Sequence, residues 1–516
     1  MILIGRKPTC VLSRHMLRSR LLRTAAVRLA GRRGYHAPVR DMRFLLYEVH
    51  DFEAHHASLT PAAGEVDESA ASQPCDREMV EMVIESTQVL CENELAPLLA
   101  GADSEGCTWV DKHHVKTPAG FKEAYKLWYE SGWQGLMFPP QYGGQGMPAS
   151  VGMIQGEMTA TANYTWTMFP GLSKGAINTL LAHGSDALKD KYLPPLVSGE
   201  FTGTMCLTEP QCGSDLGQVT TKAVDNGDGT YSLSGTKIFI SCGEHDMASN
   251  IIHCVLARLP DAPEGTKGIS LFLVPKKSVD ESGSVGEHNG VSVSRIEDKM
   301  GCHGSPTCQV EFEGATGWLI GEPNRGLNHM FTFINTSRIG TAVQGVAAAE
   351  LAFQNTLWYT KERGSMRALS GTKAPSLKAD PIIWHPSVRT MLLTQKAVAE
   401  GGRSMVYECA KLVDKMDICE AAGDTRGAKA IDERLAFLTP ILKGFLTEVR
   451  PGPPSPCLRA HEMSAPPACP SLVLAPASCP RLANRAPHRL ALTPGGQGGG
   501  RPRHPGLWRT RLHQGQ

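Results

Sequence analysis

Residues 205–215 read Met-Cys-Leu-Thr-Glu-Pro-Gln-Cys-Gly-Ser-Asp, which brings Thr208, Pro210, Gly213 and Ser214 together within one short stretch. Small hydroxyls donate hydrogen bonds without bulk, and glycine lets backbone come close. The string suits a strand end that lies against a flat ring and a phosphate. Other signals carry less chemistry. The cysteines form no Cys-x-x-Cys pair, and the Cys206/Cys212 and Cys302/Cys308 spacings have no second pair to complete a zinc site, so reduced thiols and no metal are expected. Gly144-Gln145-Gly146-Met147-Pro148-Ala149 formally fits a dinucleotide fingerprint but follows no predicted strand. His245 and His303 read as lone loop histidines without an obvious partner.

The elements that must position these residues fall into three blocks. From about Glu78 to Glu200 the pattern is helical, with Met79, Met82, Val83, Val89 and Leu90 at helical spacing. The Pro/Gly-rich loop Phe138–Pro148 interrupts it, and Thr159–Leu181 resumes it. After Glu200 come strands: Gln218–Val224, the Asn226-Gly227-Asp228-Gly229 turn, then Tyr231–Ser241, Ile251–Arg258, Gly268–Val274 and Val291–Ile296. This predicts an antiparallel β domain. From Asn328 helices return, at Ile339–Thr360, Pro386–Val413 and Ala428–Val449. The predicted class is α+β. The expected division is a basic extension at 1–40, an N-terminal α domain at 41–200, a middle β domain at 201–322, a partial C-terminal helical bundle at 323–449 and a tail at 450–516.

The net charge of +1 hides an asymmetry. Residues 1–40 carry nine Arg, one Lys and no acid, and residues 450–516 carry nine Arg and one Glu. The body between is therefore strongly acidic, which argues against a nucleic-acid partner. The Arg-rich, acid-free start has the profile of a mitochondrial transit peptide, with a disordered basic extension or an upstream start codon as the alternative and the cytoplasm as the alternative location. No apolar run reaches the roughly 18 residues that a membrane span needs. Residues 451–516 hold 13 Pro and 8 Gly with no periodicity. They are expected to be disordered. They read as non-coding sequence carried into the frame, or as a low-complexity tail.

The α, then β, then α order and the strings above resemble the acyl-CoA dehydrogenase family. Thr208-Glu209-Pro210 with Gly213-Ser214-Asp215 is similar to its flavin-contacting signature. Within the family, three strings resemble the branch that acts on 3-(methylthio)propanoyl-CoA: Ala37–Leu46, the Pro139–Gly146 loop and Gly235–Ser241. The resemblance implies FAD as cofactor, held by Met205, Leu207, Thr208, Gly213, Ser214, Phe239, Ile240, Ser241 and Arg363. It implies a CoA ester held by Ser214, Asn335 and Arg338. Phe239-Ile240-Ser241 looks like the family's aromatic-Ile-Thr strand, whose hydroxyl faces the flavin, with serine keeping the donor. Arg363 resembles the arginine that reaches FAD in a neighbouring subunit, although Gly364-Ser365-Met366-Arg367 departs from the family string after it. The family also implies a homo-oligomer and an electron-transfer flavoprotein or similar acceptor.

In most members the base that removes the α proton lies in a Tyr-Glu-Gly-Thr string. No such string occurs here, and Ser337 stands where other members place the base. No catalytic base is therefore assigned, and impaired dehydrogenation of a short acyl-CoA is the expected function. A non-catalytic flavin- or acyl-CoA-binding form and an oxidase-like enzyme are the alternatives.

Overall fold

A computed structural model of the chain describes residues 35–59 and 75–448. Of the basic extension expected at 1–40, residues 1–34 lie outside the described residues, as does the Pro/Gly/Arg-rich tail expected at 450–516. Helices come first: α1 (Val39–Arg43), which runs on as a π-helix over Phe44–Val49, then α2 (Phe52–Ala57), α3 (Arg77–Leu90), α4 (Leu99–Glu105) and α5 (Phe121–Glu130). α6 (Ala149–Asn163), α7 (Met168–His183) and α8 (Asp186–Ser198) complete the first block. Asp76 caps α3, its carboxylate accepting from the Met79 N–H at 2.8 Å. The folded body reaches back to Tyr35, which is buried and donates its hydroxyl to the Met158 carbonyl.

Two expectations for this block need correction. The helical run is interrupted by a small hairpin, β1 (Thr108–Asp111) against β2 (His114–Lys116). Thr108-Trp109-Val110 is a β-branched and aromatic triplet, and it supplies the strand preference. The helical pattern expected to resume over Thr159–Leu181 is interrupted at Tyr164–Thr167, giving two helices. There the Asn163 side chain accepts from the Trp166 N–H, a local bond that competes with helix continuation.

The middle block holds β3 (Phe201–Cys206), β4 (Lys222–Asp225), β5 (Tyr231–Ser241), β6 (Asn250–Arg258) and β7 (Ile269–Pro275). The hairpin β8 (Lys277–Val279) and β9 (Val285–His288) follows, then β10 (Val291–Ile296) and β11 (Thr307–Ile320). β5 pairs with β4 and β11, β6 with β4 and β7, and β7 with β11, so these five strands close on themselves. Positive-φ Gly227 and Gly229 make the tight β4–β5 turn. The strands were expected to be antiparallel throughout. β3 instead runs parallel to β6, from Phe201↔Asn250 to Cys206↔Val255, and β4 meets β6 in parallel at Lys222↔Arg258. The whole β4–β5 hairpin lies between β3 and β6 in the chain, which is the long crossover that a parallel pair needs.

The last block is α9 (Gly326–Glu362), α10 (Pro386–Ala421) and α11 (Thr425–Glu448). α9 and α10 pack on α6 in one core and α11 packs on α9 and α10, while a second core joins α7, α8 and the start of α9 to the β domain. At the second core β3 presses on α7. The Gly203 N–H donates to Ser173 Oγ at 3.1 Å, and a Cβ at Gly203 would lie 2.4 Å from Ala176 Cβ. Two backbones must then separate, so Gly203→Ala is expected to cost about 1–3 kcal/mol in urea unfolding. An unchanged midpoint would mean that β3 and α7 are not held this closely.

Candidate functional site

β3 ends in a loop built around a buried carboxylate. Glu209 and Cys212 exchange backbone hydrogen bonds of 2.8 and 3.0 Å across Pro210-Gln211, a tight turn with proline where its fixed φ fits. Glu209 is buried and takes Lys237 Nζ at 2.8 Å, the Thr221 N–H and hydroxyl at 3.0 and 2.5 Å, and the Thr220 N–H and hydroxyl at 2.7 and 2.8 Å. Burial pushes its pKa up, but Lys237 and these donors outweigh burial and hold it at about 2, against an ordinary 4.5. Lys237 also donates to the Leu207 carbonyl at 3.0 Å, and the Ile238 N–H donates to the Thr208 carbonyl at 2.9 Å. The ion pair thus ties the Leu207-Thr208 loop to the end of β5.

That end of β5 is irregular. Its register against β11 shifts between Lys237 and Ile240, and the shift falls at Phe239. Phe239 has φ +59° and is 59% exposed. A left-handed phenylalanine costs roughly 1–2 kcal/mol, and such outliers gather where a ligand needs them. Ile240 turns inward and is buried, and Ser241 pairs with Thr307 at the rim. Gly213 lies beside Thr208, where a Cβ would sit 3.7 Å from Thr208 Cγ2.

The hydroxyls sort into two groups. Beneath the edge they are satisfied: Thr202 Oγ1 meets His245 Nε2 at 2.9 Å and Thr204 Oγ1 meets His253 Nδ1 at 2.7 Å. The Met247 N–H donates to His245 Nδ1, so Nε2 carries the proton and gives it to Thr202. Burial holds both imidazoles neutral, at about 3. At the edge, the side-chain hydroxyls of Thr208, Ser214 and Ser241 make no hydrogen bond among the described residues, and all three residues are at least partly exposed. Met205 and Leu207 are half-buried against the core shared with α7 and α8. The chain therefore brings Met205, Leu207, Thr208 and Gly213 together with Phe239, Ile240 and Ser241, while Ser214 follows on the exposed end of the same loop.

The other nominated residues stand apart. Asn335 and Arg338 bond to each other on α9, Nη1 to Oδ1 at 3.2 Å, with the guanidinium 5.8 Å over Phe331. Thr336 between them is held by Asn178 Nδ2 of α7 at 3.1 Å. No hydrogen bond or ion pair joins the Asn335–Arg338 pair to the Phe239 edge among the described residues. Arg363 caps the far end of α9 and is exposed. It lies about 38 Å along the helix from Arg338 at 1.5 Å per residue.

Several groups escaped sequence reasoning. His245 is buried and bonded, and His303 bonds the backbone carbonyls of Asp103 and Lys299, so neither lacks partners as expected. Glu244 is buried against Lys276, and burial lifts it to about 7 despite that ammonium. Lys174, one turn before Asn178 on α7, has no partner among the described residues, and burial pulls it to about 8. The eleven described cysteines are free thiols.

Comparison with known proteins follows the same three blocks. Family profiles for the acyl-CoA dehydrogenase N-terminal, middle and C-terminal domains match residues 77–200, 204–315 and 324–437. The chain is 40% identical over 414 residues to 3-methylmercaptopropionyl-CoA dehydrogenase of Ruegeria pomeroyi, a match covering 80% of this chain and 67% of that protein. It is 35% identical over 375 residues to a butyryl-CoA dehydrogenase of Syntrophomonas wolfei, covering 70% of this chain and 60% of that one. The chain thus spans three fifths to two thirds of the length of these relatives. Among solved structures, an acyl-CoA dehydrogenase complexed with FAD from Bacillus anthracis shares the fold at a TM-score of 0.58 and 24% identity, over 75% of this chain and 61% of that one.

Proposed function

The chain belongs to the acyl-CoA dehydrogenase family, and from that premise we propose that it binds FAD at the Thr208–Phe239–Ser241 edge and oxidises a short acyl-CoA such as 3-(methylthio)propanoyl-CoA. The observation that carries the reading is the edge itself: an exposed left-handed aromatic flanked by hydroxyls that the fold leaves without partners. These residues fit a flat heteroaromatic ring bearing phosphates, because Phe239 supplies an apolar wall and Thr208 and Ser241 supply donors. Ser214, at the exposed end of the loop, would hold the phosphates. FAD supplies the hydride acceptor when bound.

The protein's own part is to bind, orient and exclude water. Asn335 and Arg338 would hold the CoA arm, the guanidinium paired bidentately with a phosphate. Hydrogen bonds to the thioester carbonyl, in a site that excludes water, would stabilise the charge that develops there and make the α C–H easier to ionise. A carboxylate within reach would then take the proton, a contribution of about 10²–10⁴ in rate. Here the buried acids of the middle domain are engaged, Glu209 by Lys237 and Glu244 by Lys276. Ser337 occupies the alternative base position. Turnover is therefore slow in this reading, with electrons passing to an electron-transfer flavoprotein or similar carrier.

Those engaged acids also favour a second reading, a flavin- and acyl-CoA-binding protein without turnover. Anaerobic reduction of the FAD-loaded chain by 3-(methylthio)propanoyl-CoA separates them. Slow bleaching supports a dehydrogenase short of its base. No bleaching with retained acyl-CoA binding supports the second reading. Bleaching at the rate of a fully equipped enzyme refutes the slow-turnover claim.

A further inference from the structure

A second cluster of chemically capable side chains lies away from the flavin edge, where α2, α6 and α10 converge. His55 and His56 of α2 and Asp414 of α10 each present a ligand atom, and these atoms all lie within 4.8 Å of one another. All three residues are buried. His55 Nε2 is 2.9 Å from Asp414 Oδ2. His56 Nε2 is 3.0 Å from Ser150 Oγ on α6, and the Ser150 N–H donates to Asp414 Oδ1 at 3.1 Å. On the other side of the ring, His56 Nδ1 is 3.5 Å from Cys75 Sγ.

Hydrogen bonding alone does not satisfy this cluster. Asp414 is a buried carboxylate with no lysine or arginine on it among the described residues; its only ion-pair partner there is His55. A buried charge normally finds a full counter-charge. The donor spacing fits a small cation. Four-coordinate zinc with bonds of about 2.0–2.3 Å places neighbouring N, O and S donors roughly 3.3–3.6 Å apart. The 3.5 Å His56–Cys75 contact lies within that range and the 2.9 Å His55–Asp414 contact falls just below it, while the ligand atoms of His55, His56 and Asp414 all lie within 4.8 Å of one another.

We propose that His55, His56 and Asp414 bind one divalent ion of the zinc class, with Cys75 as the fourth donor. Two imidazoles, one carboxylate and one thiol are the soft-to-borderline set that selects zinc, cobalt or nickel over magnesium or calcium. Ser150 holds the second nitrogen of His56 and the second oxygen of Asp414, the outer-shell role that orients ligands. The ion clamps the N-terminal segment, residues 35–59, to α6 and α10. Its role is structural, because all four positions of the cation are taken by the protein. The sequence conceals the site because its donors come from residues 55–56, 75 and 414, with no short spacing for a motif.

The test uses the full chain with Zn(II) and Co(II) salts as probes. After loading and dialysis, elemental analysis is expected to find one Zn(II) per chain in the wild type and almost none in Asp414→Asn or His56→Gln. Ser150→Ala is expected to weaken binding about 10- to 100-fold. Co(II) is expected to show the intense visible bands of four-coordinate cobalt, with a sulfur-to-cobalt charge-transfer band that disappears in Cys75→Ser. The wild-type cobalt spectrum decides the question even if a variant folds poorly. The proposal is overturned if Co(II) stays pale and six-coordinate, or if the well-folded variants retain as much Zn(II) as the wild type.

Discussion

Arg403→Met is expected to destabilise the chain by about 3–5 kcal/mol, because it leaves two carboxylates buried without their cation. Arg403 is fully buried in α10 and lies between two helices of different blocks. Its Nε donates to Glu157 of α6 at 2.5 Å and its Nη2 to Glu350 of α9 at 3.1 Å, while the Tyr407 hydroxyl adds a second donor to Glu157 at 3.2 Å. Burial raises the Glu157 pKa even with Arg403 in place, so the carboxylate is already costly to hold. Urea unfolding checks this. The triple change Glu157→Leu, Glu350→Met and Arg403→Met should recover most of the loss, since apolar replacement of a buried triad is often neutral or better. If Arg403→Met alone leaves the midpoint in place, the three helices are not joined through this charge.

Glu209→Gln is the second large effect. The amide keeps the shape but leaves Lys237 buried beside a neutral group, and loss of one partner of a buried pair costs about 3–5 kcal/mol. The damage should be local first, because Lys237 and Glu209 together hold the Leu207-Thr208 loop onto β5. The variant is therefore expected to lose FAD before it loses its helices, which visible absorption and circular dichroism separate. The pH dependence has a fixed sign. Glu209 titrates at about 2 in the fold against an ordinary 4.5. Its contribution is complete above about 4.5 and fades as pH falls towards 2. The wild type should weaken through that acid window more steeply than Glu209→Gln, and equal slopes would deny the carboxylate its role.

Strand positions in the middle domain were legible in the sequence for β4–β7 and β10, whereas β3, the β8–β9 hairpin and the 14-residue β11 were not. Tyr231–Ser241 and Val291–Ile296 are bounded by glycine turns, and β-branched runs between such turns have few alternatives. The parallel placement of Phe201–Cys206 was not legible, because strand direction is set by which partner the core offers and leaves no local trace. The site was legible only as strings. Thr208 and Gly213 stood out by type and Ser241 by resemblance, but their common anchor, Glu209 on Lys237, is a pairing of residues 28 apart. Nothing in the spacing marks such a pair. His245 misled for the same reason: it lies in the loop after β5, and its partner Thr202 lies on β3. Phe239 reads as an ordinary strand aromatic until its left-handed backbone is known.

Titration of the purified chain with FAD tests the central claim most directly, with Phe239→Gly measured alongside. A yellow protein holding one FAD per chain is predicted. Phe239→Gly should bind FAD more weakly while unfolding no earlier than wild type, since glycine removes the roughly 1–2 kcal/mol cost of a left-handed side chain. A chain that stays colourless with FAD, or a Phe239→Gly protein that binds it equally well, would contradict the assignment of this edge as the flavin site.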